Sequence, residues 1–518
     1  MIKMGKLFPH VPFIRDETPL SWAVRQAAFH TGGRVVPFLN DLGIPSMDLM
    51  RGKLSAVERL CDATGQARAP VLHNTIEIAG KRRFCLRGQE FSAEFTTGAV
   101  TRFCPLCLQD DVAGHEGHGT GLRHRMLWRL SPVRTCPTHL VPLSDVRLGK
   151  WSEVNHELPA MRSEIAAEQS AIVDRESRQP SPVQCYVEGR LEGKAGPAWL
   201  DQQGIDQVCR TSEMLGGLML YGSDRKASEM SEDTWDAAGR VAWPLMIEGP
   251  EQVQDFLAQT LKGCCTQNGR PSPRGAFGML YRWLFASRLS KDPGPIRDIV
   301  REVIIDQVPL VPGQRLLGKN VTYPRLACIS SIASSEGMHS KTLENVLRVA
   351  GVIGEKPALE GAPNVVLDYA RAKELIDNTK YAIPVTRVPA LLSASRPIVA
   401  ELIDLGELTR IQEHDALQSK LGKAIDARSM QKTLNFLKEV GEKVGEPPEG
   451  FFPLAKAAEK SRINLRAILE MLFRKYLDKV YLLEGRTGFK AVLVSPAEIS
   501  ECVRNPPPDA SNEIRFCI

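Results

Sequence analysis

Between Arg102 and Leu143 the chain carries two short knuckles. The first is Cys104-Pro105-Leu106-Cys107 and the second is Cys136-Pro137-Thr138-His139. Two soft ligands separated by two residues, with a proline in the turn, aim their donor atoms at a single point. Three thiols and one imidazole form a closed set suited to tetrahedral zinc. Structural zinc on Cys104, Cys107, Cys136 and His139 is therefore expected. The 28 residues between the knuckles exceed the spacing of roughly 15–20 common in zinc ribbons. Something sizeable must fold between them, with Arg123–Leu130 the leading candidate. Two other readings use the same residues. The cysteines could be unrelated reduced pairs in a core, or Cys104 and Cys107 could be completed by His115 and His118.

A chain of 518 residues is too long for one core and implies three or four domains. Its 43% hydrophobic and 25% charged residues describe an ordinary globular protein. No apolar run approaches the roughly 18–20 residues of a membrane span, so no membrane partner is expected. Met1–His10 has no apolar core or cleavage site of the kind a signal peptide needs. Twelve irregularly spaced cysteines do not make a disulfide framework, and a reducing cytoplasm fits them better. A net charge of +5 spread over this length says little, and where the charge sits matters more.

Residues 1–100 read as a small mixed domain. Thr18 is a candidate N-cap with Pro19 at the first helical position, opening a helix toward Gly32. Trp22 and Phe29, seven apart, are assigned to its core face. A second helix is expected from about Val36 to Leu42, and a third from Ser55 to Ala63, with Ser55-Ala56-Val57-Glu58 as a capping box. Lys81-Arg82-Arg83 with Arg87 forms a basic cluster, read first as a solvated face and second as a phosphate contact.

The run R-F-C-P-L-C at Arg102–Cys107, followed by R-x-x-W-R-L-x-x-V-x-x-C-P-x-H-x-x-P-L from Arg125 to Leu143, resembles the TniQ/TnsD family of transposition target-selection proteins. Phe8-Pro9, Pro12 and Asp16-Glu17-Thr18-Pro19-Leu20-Ser21-Trp22, with Arg25 following, resemble that family's opening segment. The resemblance covers about the first 150 residues. It implies a non-catalytic protein that chooses target DNA, directly or through a partner complex, and passes the choice to an AAA+ ATPase regulator of transposition. It also implies a cytoplasmic, nucleoid-associated protein.

From Trp151 to Pro197 the sequence thins into polar, Pro- and Ser-bearing stretches, read as a linker or irregular excursion with a short helix near Glu164. Helical periodicity returns from Ile205 to Val308, where Trp235, Trp243 and Trp283 are assigned to packing. The C-terminal third holds a repeat. Tyr323–Ala333 followed by Gly337–Leu347, and Phe452–Ala458 followed by Ser461–Leu469, each read as a helix of small residues, a polar turn and a second helix. An extended stretch and a further helix follow each pair, and Val388–Gly406 repeats the plan in shorter form. This is the helix–turn–helix device, whose second helix fits the major groove. The recognition helices expected are Ser340–Val349, Ser395–Asp404 and Asn464–Phe473. Candidate DNA contacts are Lys341, Asn345, Arg396, Arg462, Arg466 and Arg474. Phe451–Lys490 contains nine Lys/Arg against four Asp/Glu, and basic side chains on phosphates supply much of DNA affinity. The alternative is that these folds serve protein contacts, most readily in the middle copy, where Glu401 and Asp404 offset the basic residues.

Known catalytic patterns are missing. Gly337–Thr342 fails as a phosphate loop because Ser340 and Ser335 occupy its two glycine positions. No G-x-S-x-G elbow, H-E-x-x-H helix or zinc-deaminase signature occurs. A zinc held by four protein ligands also leaves no place for water. No enzyme is expected. The fold class expected is mainly α and multidomain, with a zinc-ribbon-like segment in the N-terminal half and helix–turn–helix modules in the C-terminal third. The boundaries read as a TniQ-like helical domain at 1–100, a zinc segment at 101–150, a linker at 151–197 and a helical body at 198–320, then modules at 321–380, 381–446 and 447–518. The leading function is a transposon target-site selector that reads duplex DNA itself, as the long C-terminal array suggests. Alternatives are an adaptor docking onto a CRISPR RNA-guided effector complex, or a zinc-containing transcription regulator.

Overall fold

The computed structural model describes residues 6–518 apart from 114–119, 148, 150–154, 173–175, 265–271, 287–291, 350–351, 354–364, 411–423, 509, 512–513 and 515–518. The chain forms two compact units, residues 1–308 with 315–320, and residues 309–314 with 321–518. Both are predominantly helical, and no described helix is long and apolar enough to cross a membrane.

The first unit opens with helices α1 (Pro19–Thr31), α2 (Val35–Asp41), α3 (Ser46–Met50), α4 (Leu54–Thr64) and α5 (Arg68–His73). The Thr18 hydroxyl accepts from the Ser21 amide and Pro19 sits in the first turn, as expected, while Gly32 at φ 60° closes α1. Trp22, Val35, Leu39, Val57, Leu60 and Val71 make the core of these helices. Two local expectations fail. Phe29 is 44% exposed, because it lies in the last turn of α1, beyond the packed stretch Pro19–Ala27. The α4 helix begins at Leu54, so Ser55 lies inside it and the N-cap, Lys53, makes no side-chain capping bond.

Strands β1 (Glu77–Gly80), β2 (Arg83–Leu86) and β3 (Gln89–Ser92) form an antiparallel meander. Its turns use Arg82 at φ 60° and Arg87-Gly88 at φ 51° and 76°, so the basic cluster marks hairpin corners. Strand β4 (Thr101–Phe103), helix α6 (Pro105–Ala113) and strand β5 (Ser144–Val146) follow, with β4 and β5 paired antiparallel. Between α6 and β5 a 3-10 turn over Met126–Arg129 buries Met126 and Trp128.

The helical body comprises α7 (Arg162–Ala171), α8 (Pro182–Leu191), α9 (Ala198–Asp201), α10 (Ile205–Tyr221), α11 (Glu232–Glu248), α12 (Pro250–Gly263), α13 (Pro273–Ala286) and α14 (Ile296–Gln307). α7 contains Glu164. α8 arises within the polar stretch because Ser181 caps it and Val183, Val187 and Leu191 recur every four residues on its buried face. α10 and α11 cross closely at Gly216, where an added Cβ would stand 1.8 Å from the Ala238 carbonyl oxygen. Trp235 is buried, whereas Trp243 and Trp283 are half-buried. A small hairpin, β6 (Arg315–Leu316) and β7 (Lys319–Asn320), closes onto α14 through Arg301, which donates to the carbonyls of Leu316 and Leu317.

The second unit repeats one plan three times: a strand, two helices, a strand and a helix. The first copy is β8 (Leu326–Cys328), α15 (Ile329–Ser335), α16 (Ser340–Val349), β9 (Val366–Asp368) and α17 (Tyr369–Lys380), with β8 and β9 antiparallel. The second is β10 (Ala382–Pro384), α18 (Val388–Leu391), α19 (Arg396–Asp404), β11 (Ala424–Asp426) and α20 (Ala427–Glu439), with β10 and β11 antiparallel. After strand β12 (Glu442–Val444) the third copy runs β13 (Phe452–Pro453), α21 (Leu454–Ser461), α22 (Leu465–Phe473), β14 (Val480–Leu483), β15 (Val492–Val494) and α23 (Pro496–Arg504). There β14 is an added hairpin arm, and the sheet order is β12-β14-β15-β13. In each copy a polar residue at the end of the strand before the last helix, or directly after it, caps that helix: Asp368 accepts from the Arg371 amide, Asp426 from Arg428 and Ser495 from Glu498. The first copy has its own core around Ile329, Leu343, Leu367 and Ile376. The second and third share one, running from Val388 to Ile514. The connection between β14 and β15 is part of that union: the Phe489 amide donates to the Leu392 carbonyl, and a Cβ on Gly488 would stand 2.0 Å from the same oxygen.

Candidate metal centre and nucleic-acid interface

The β4–β5 ladder brings the two knuckles together. Cys104 directly follows β4, Cys107 lies in the first turn of α6, and Cys136 and His139 occupy the turn leading toward β5. That turn is fixed by its own backbone. The Leu140 amide donates to the Cys136 carbonyl, the Cys136 amide donates to Val141, and Leu140 adopts φ 55°. The donor atoms of Cys104, Cys107, Cys136 and His139 all lie within 4.8 Å of one another. Cys107 Sγ is 3.6 Å from Cys136 Sγ, and His139 Nδ1 is 3.6, 3.3 and 3.7 Å from the sulfurs of Cys104, Cys107 and Cys136. A tetrahedron with Zn–S bonds of about 2.3 Å has edges of about 3.8 Å, so the spacing fits a single zinc-sized ion. His139 Nε2 lies 3.0 Å from an Asp110 carboxylate oxygen. This partner places the ring proton on Nε2 and turns the Nδ1 lone pair toward the sulfurs. Hydrogen bonds from Cys104 and Cys107 push the Cys136 thiol far below its usual range, and hydrogen bonding with Cys104 pushes Cys107 far above it. A metal would replace this sharing of protons by three thiolates.

The surroundings are dry and braced. Phe103, Leu108, Leu122, Trp128, Val141 and Leu158 pack around the three buried sulfurs. Arg102 donates from Nε and Nη2 to the Asp145 carboxylate at 2.7 and 2.9 Å, and from Nη1 to the carbonyls of Ser131 and Val133. Buried Asp111 accepts from both Arg123 and Arg125, and so ties α6 to the run between the knuckles. Burial pushes the His124 pKa down to about 3, which keeps this ring neutral beside the Arg102 carbonyl. Neither Asp110 nor the Arg102–Asp145 brace was singled out from the sequence. Asp110 could have been found, because it lies three residues beyond Cys107 on the same helix. His115 and His118 lie outside the described residues.

Residues 8–143 match the TniQ family model. The chain carries a TniQ domain. That match covers the opening helices, the meander and both knuckles, and it implies a transposition-associated DNA-binding role. No curated protein matches the chain.

Outside the TniQ domain the residues chosen from sequence as DNA contacts are dispersed. Lys341 is exposed on α16, and the Asn345 side chain lies outside the described residues. Arg396 is exposed at the first position of α19. Arg462 is exposed at φ 60° in the turn between α21 and α22, and Arg474 is exposed just beyond α22. Arg466, on α22 itself, is half-buried. α22 is the most enclosed of the second helices. It packs against α19 and α21, and no residue from Leu465 to Phe473 is exposed.

Proposed function

We propose that this TniQ-domain protein is a non-catalytic target-site selector of a transposon, which reads target duplex through its C-terminal repeats and recruits the ATPase regulator of transposition through its N-terminal unit. The TniQ match over residues 8–143 carries the reading. Its knuckles fit zinc, which would act as a structural clamp. The repeated helix pairs of the second unit, joined by short turns, supply groove-sized elements of the kind duplex readers use. In the first unit a cleft of about 860 Å³ beside the second knuckle is lined by Arg15, His73, Arg87, Trp128, Pro137 and Thr138 among others. Arg87 is half-buried there, with no carboxylate in direct contact among the described residues, and its Nη2 donates to Asn74 Oδ1. The lining is basic on balance, with Arg15, Arg87 and Lys194 against Asp16 and Glu192, which suits an acidic segment of the ATPase. Arg15→Glu with Arg87→Glu is expected to lower capture of the purified regulator at least ten-fold while leaving duplex affinity within two-fold. Unchanged capture would move that docking site elsewhere.

The decisive test of target reading is a genome-wide binding selection with the full-length protein at near-physiological salt. One sharply enriched duplex, lost when residues after 320 are removed, is the expected result. Weak, salt-sensitive and sequence-blind binding would refute direct reading and favour docking onto an RNA-guided complex.

A further inference from the structure

We propose that α20, the last helix of the second repeat, is a major-groove reading helix, and that its exposed face rather than α22 distinguishes base pairs. This rests on the duplex-reading function above and names the surface that would perform it.

The residues of α20 divide cleanly. Met430, Thr433 and Leu437 are buried, while Arg428, Gln431, Lys432, Asn435, Lys438 and Glu439 are exposed. At 100° per residue those six fall within an arc of about 120° centred on Asn435. A major groove about 12 Å wide accepts a helix presenting such an arc. The chemistry also suits base edges. Gln and Asn can each make paired hydrogen bonds to adenine, Arg can do so to guanine, and Lys neutralises phosphate. Gln431 Nε2 already donates to Asn435 Oδ1 at 3.0 Å, which aligns the two amides. Arg428 is oriented by Asp426 and by the Tyr381 ring, 4.9 Å away. Lys432 and Lys438 make no ion pair among the described residues. Glu439, in the final position, is the one carboxylate of the arc.

The helix is rigidly mounted. β11 leads directly into it and pairs with β10, and β12 follows it and pairs in parallel with β14. Phe436 stacks on Phe473 with ring centroids 4.6 Å apart. Readers of sequence need this kind of support, because a loosely held side chain discriminates poorly. The equivalent helices differ. Among the described residues α17 exposes Ala370, Arg371 and Glu374, and α23 exposes Ala497, Glu501 and Arg504. Neither offers paired amides between unopposed lysines.

The test uses full-length protein and the duplex enriched in the genome-wide selection, with a scrambled duplex as reference. Gln431→Ala/Asn435→Ala is expected to reduce the ratio of specific to scrambled affinity about ten-fold or more, with scrambled affinity and salt slope unchanged. Lys432→Ala/Lys438→Ala is expected to weaken both duplexes and to reduce the salt slope by about 1–2. All four side chains are exposed, so a native melting curve is expected and confirms that folding is intact. If the parent discriminates and the amide variant keeps its full ratio, the assignment is overturned, as it would be were the face a protein-docking surface. If the parent shows no preference for any duplex, the target-reading function itself falls and this assignment with it.

Discussion

Cys136→Ser is expected to release one equivalent of zinc per chain and to unfold the segment from Phe103 to Ile172, with a lowered midpoint and reduced amplitude in a thermal melt. The reason is the construction of the site. Three buried sulfurs and one imidazole sit at the centre of a small core, where the four ligands join the second knuckle to β4 and α6. Where metal binding and folding are coupled, apparent binding free energies of about 10–16 kcal/mol occur in small zinc modules, far above what a lost methyl or hydrogen bond costs. Cys104→Ser should behave alike, because Cys104 directly follows the strand that closes the ladder. His115→Ala/His118→Ala should retain the metal. Elemental analysis alongside calorimetry checks both points. Full zinc content with a native melt in Cys136→Ser would remove this residue from the ligand set.

The second large effect is expected at Glu17 and Arg25. Their side chains are 0% and 2% exposed and meet at 2.6 Å. Arg25 also donates to the carbonyls of Thr120 and Pro12, while Glu17 accepts from the Ile14 amide and the Ser21 hydroxyl. Removing one partner strands the other charge out of water, a change that costs about 3–5 kcal/mol. Glu17→Ala should therefore destabilise the first unit by that amount, measured by urea unfolding. Burial pushes the Glu17 carboxyl up to about 7 from 4.5, against the pull of Arg25. With the folded value raised, the folded state binds the extra proton. This group therefore favours folding most at low pH, and its contribution is lost as pH rises from about 4.5 to about 7. Glu17→Gln should flatten that slope, and an unchanged slope would assign it to another group.

Much of this architecture was legible because local chemistry announced it. The knuckles declared their own ligands, since soft donors at fixed spacing have few other uses. The Thr18-Pro19 start of α1 and the Asn464 cap of α22 were readable for the same reason: each satisfies a helix end with its own side chain. The second helices fell within one residue of Ser340–Val349, Ser395–Asp404 and Asn464–Phe473. What was hidden depended on partners distant in sequence. The strands β10 and β11 are three residues each and are separated by 39 positions, so neither carries a pattern by itself. The enclosure of α22 was equally invisible. Its basic neighbourhood promised an exposed face, but contact with α19 and the stacking of Phe473 on Phe436 turned most of that helix inward. The polar arc of α20 escapes a sequence reading because the second module, 381–446, offers a recognisable helix pair only over Val388–Gly406 and nothing marks the helix beyond it.

The union of the second and third repeats bears on how the C-terminal unit can be dissected. Because Gly488 lies against the Leu392 backbone and β12 crosses from one repeat into the other's sheet, a truncation between residues 440 and 450 does not subtract a module. It exposes Ile398, Val399, Leu402 and Leu437 to water and leaves a chain prone to self-association. Deletion series stepping through this region are thus expected to register lost activity in blocks, with the last two repeats, which share one core, unfolding as a single body.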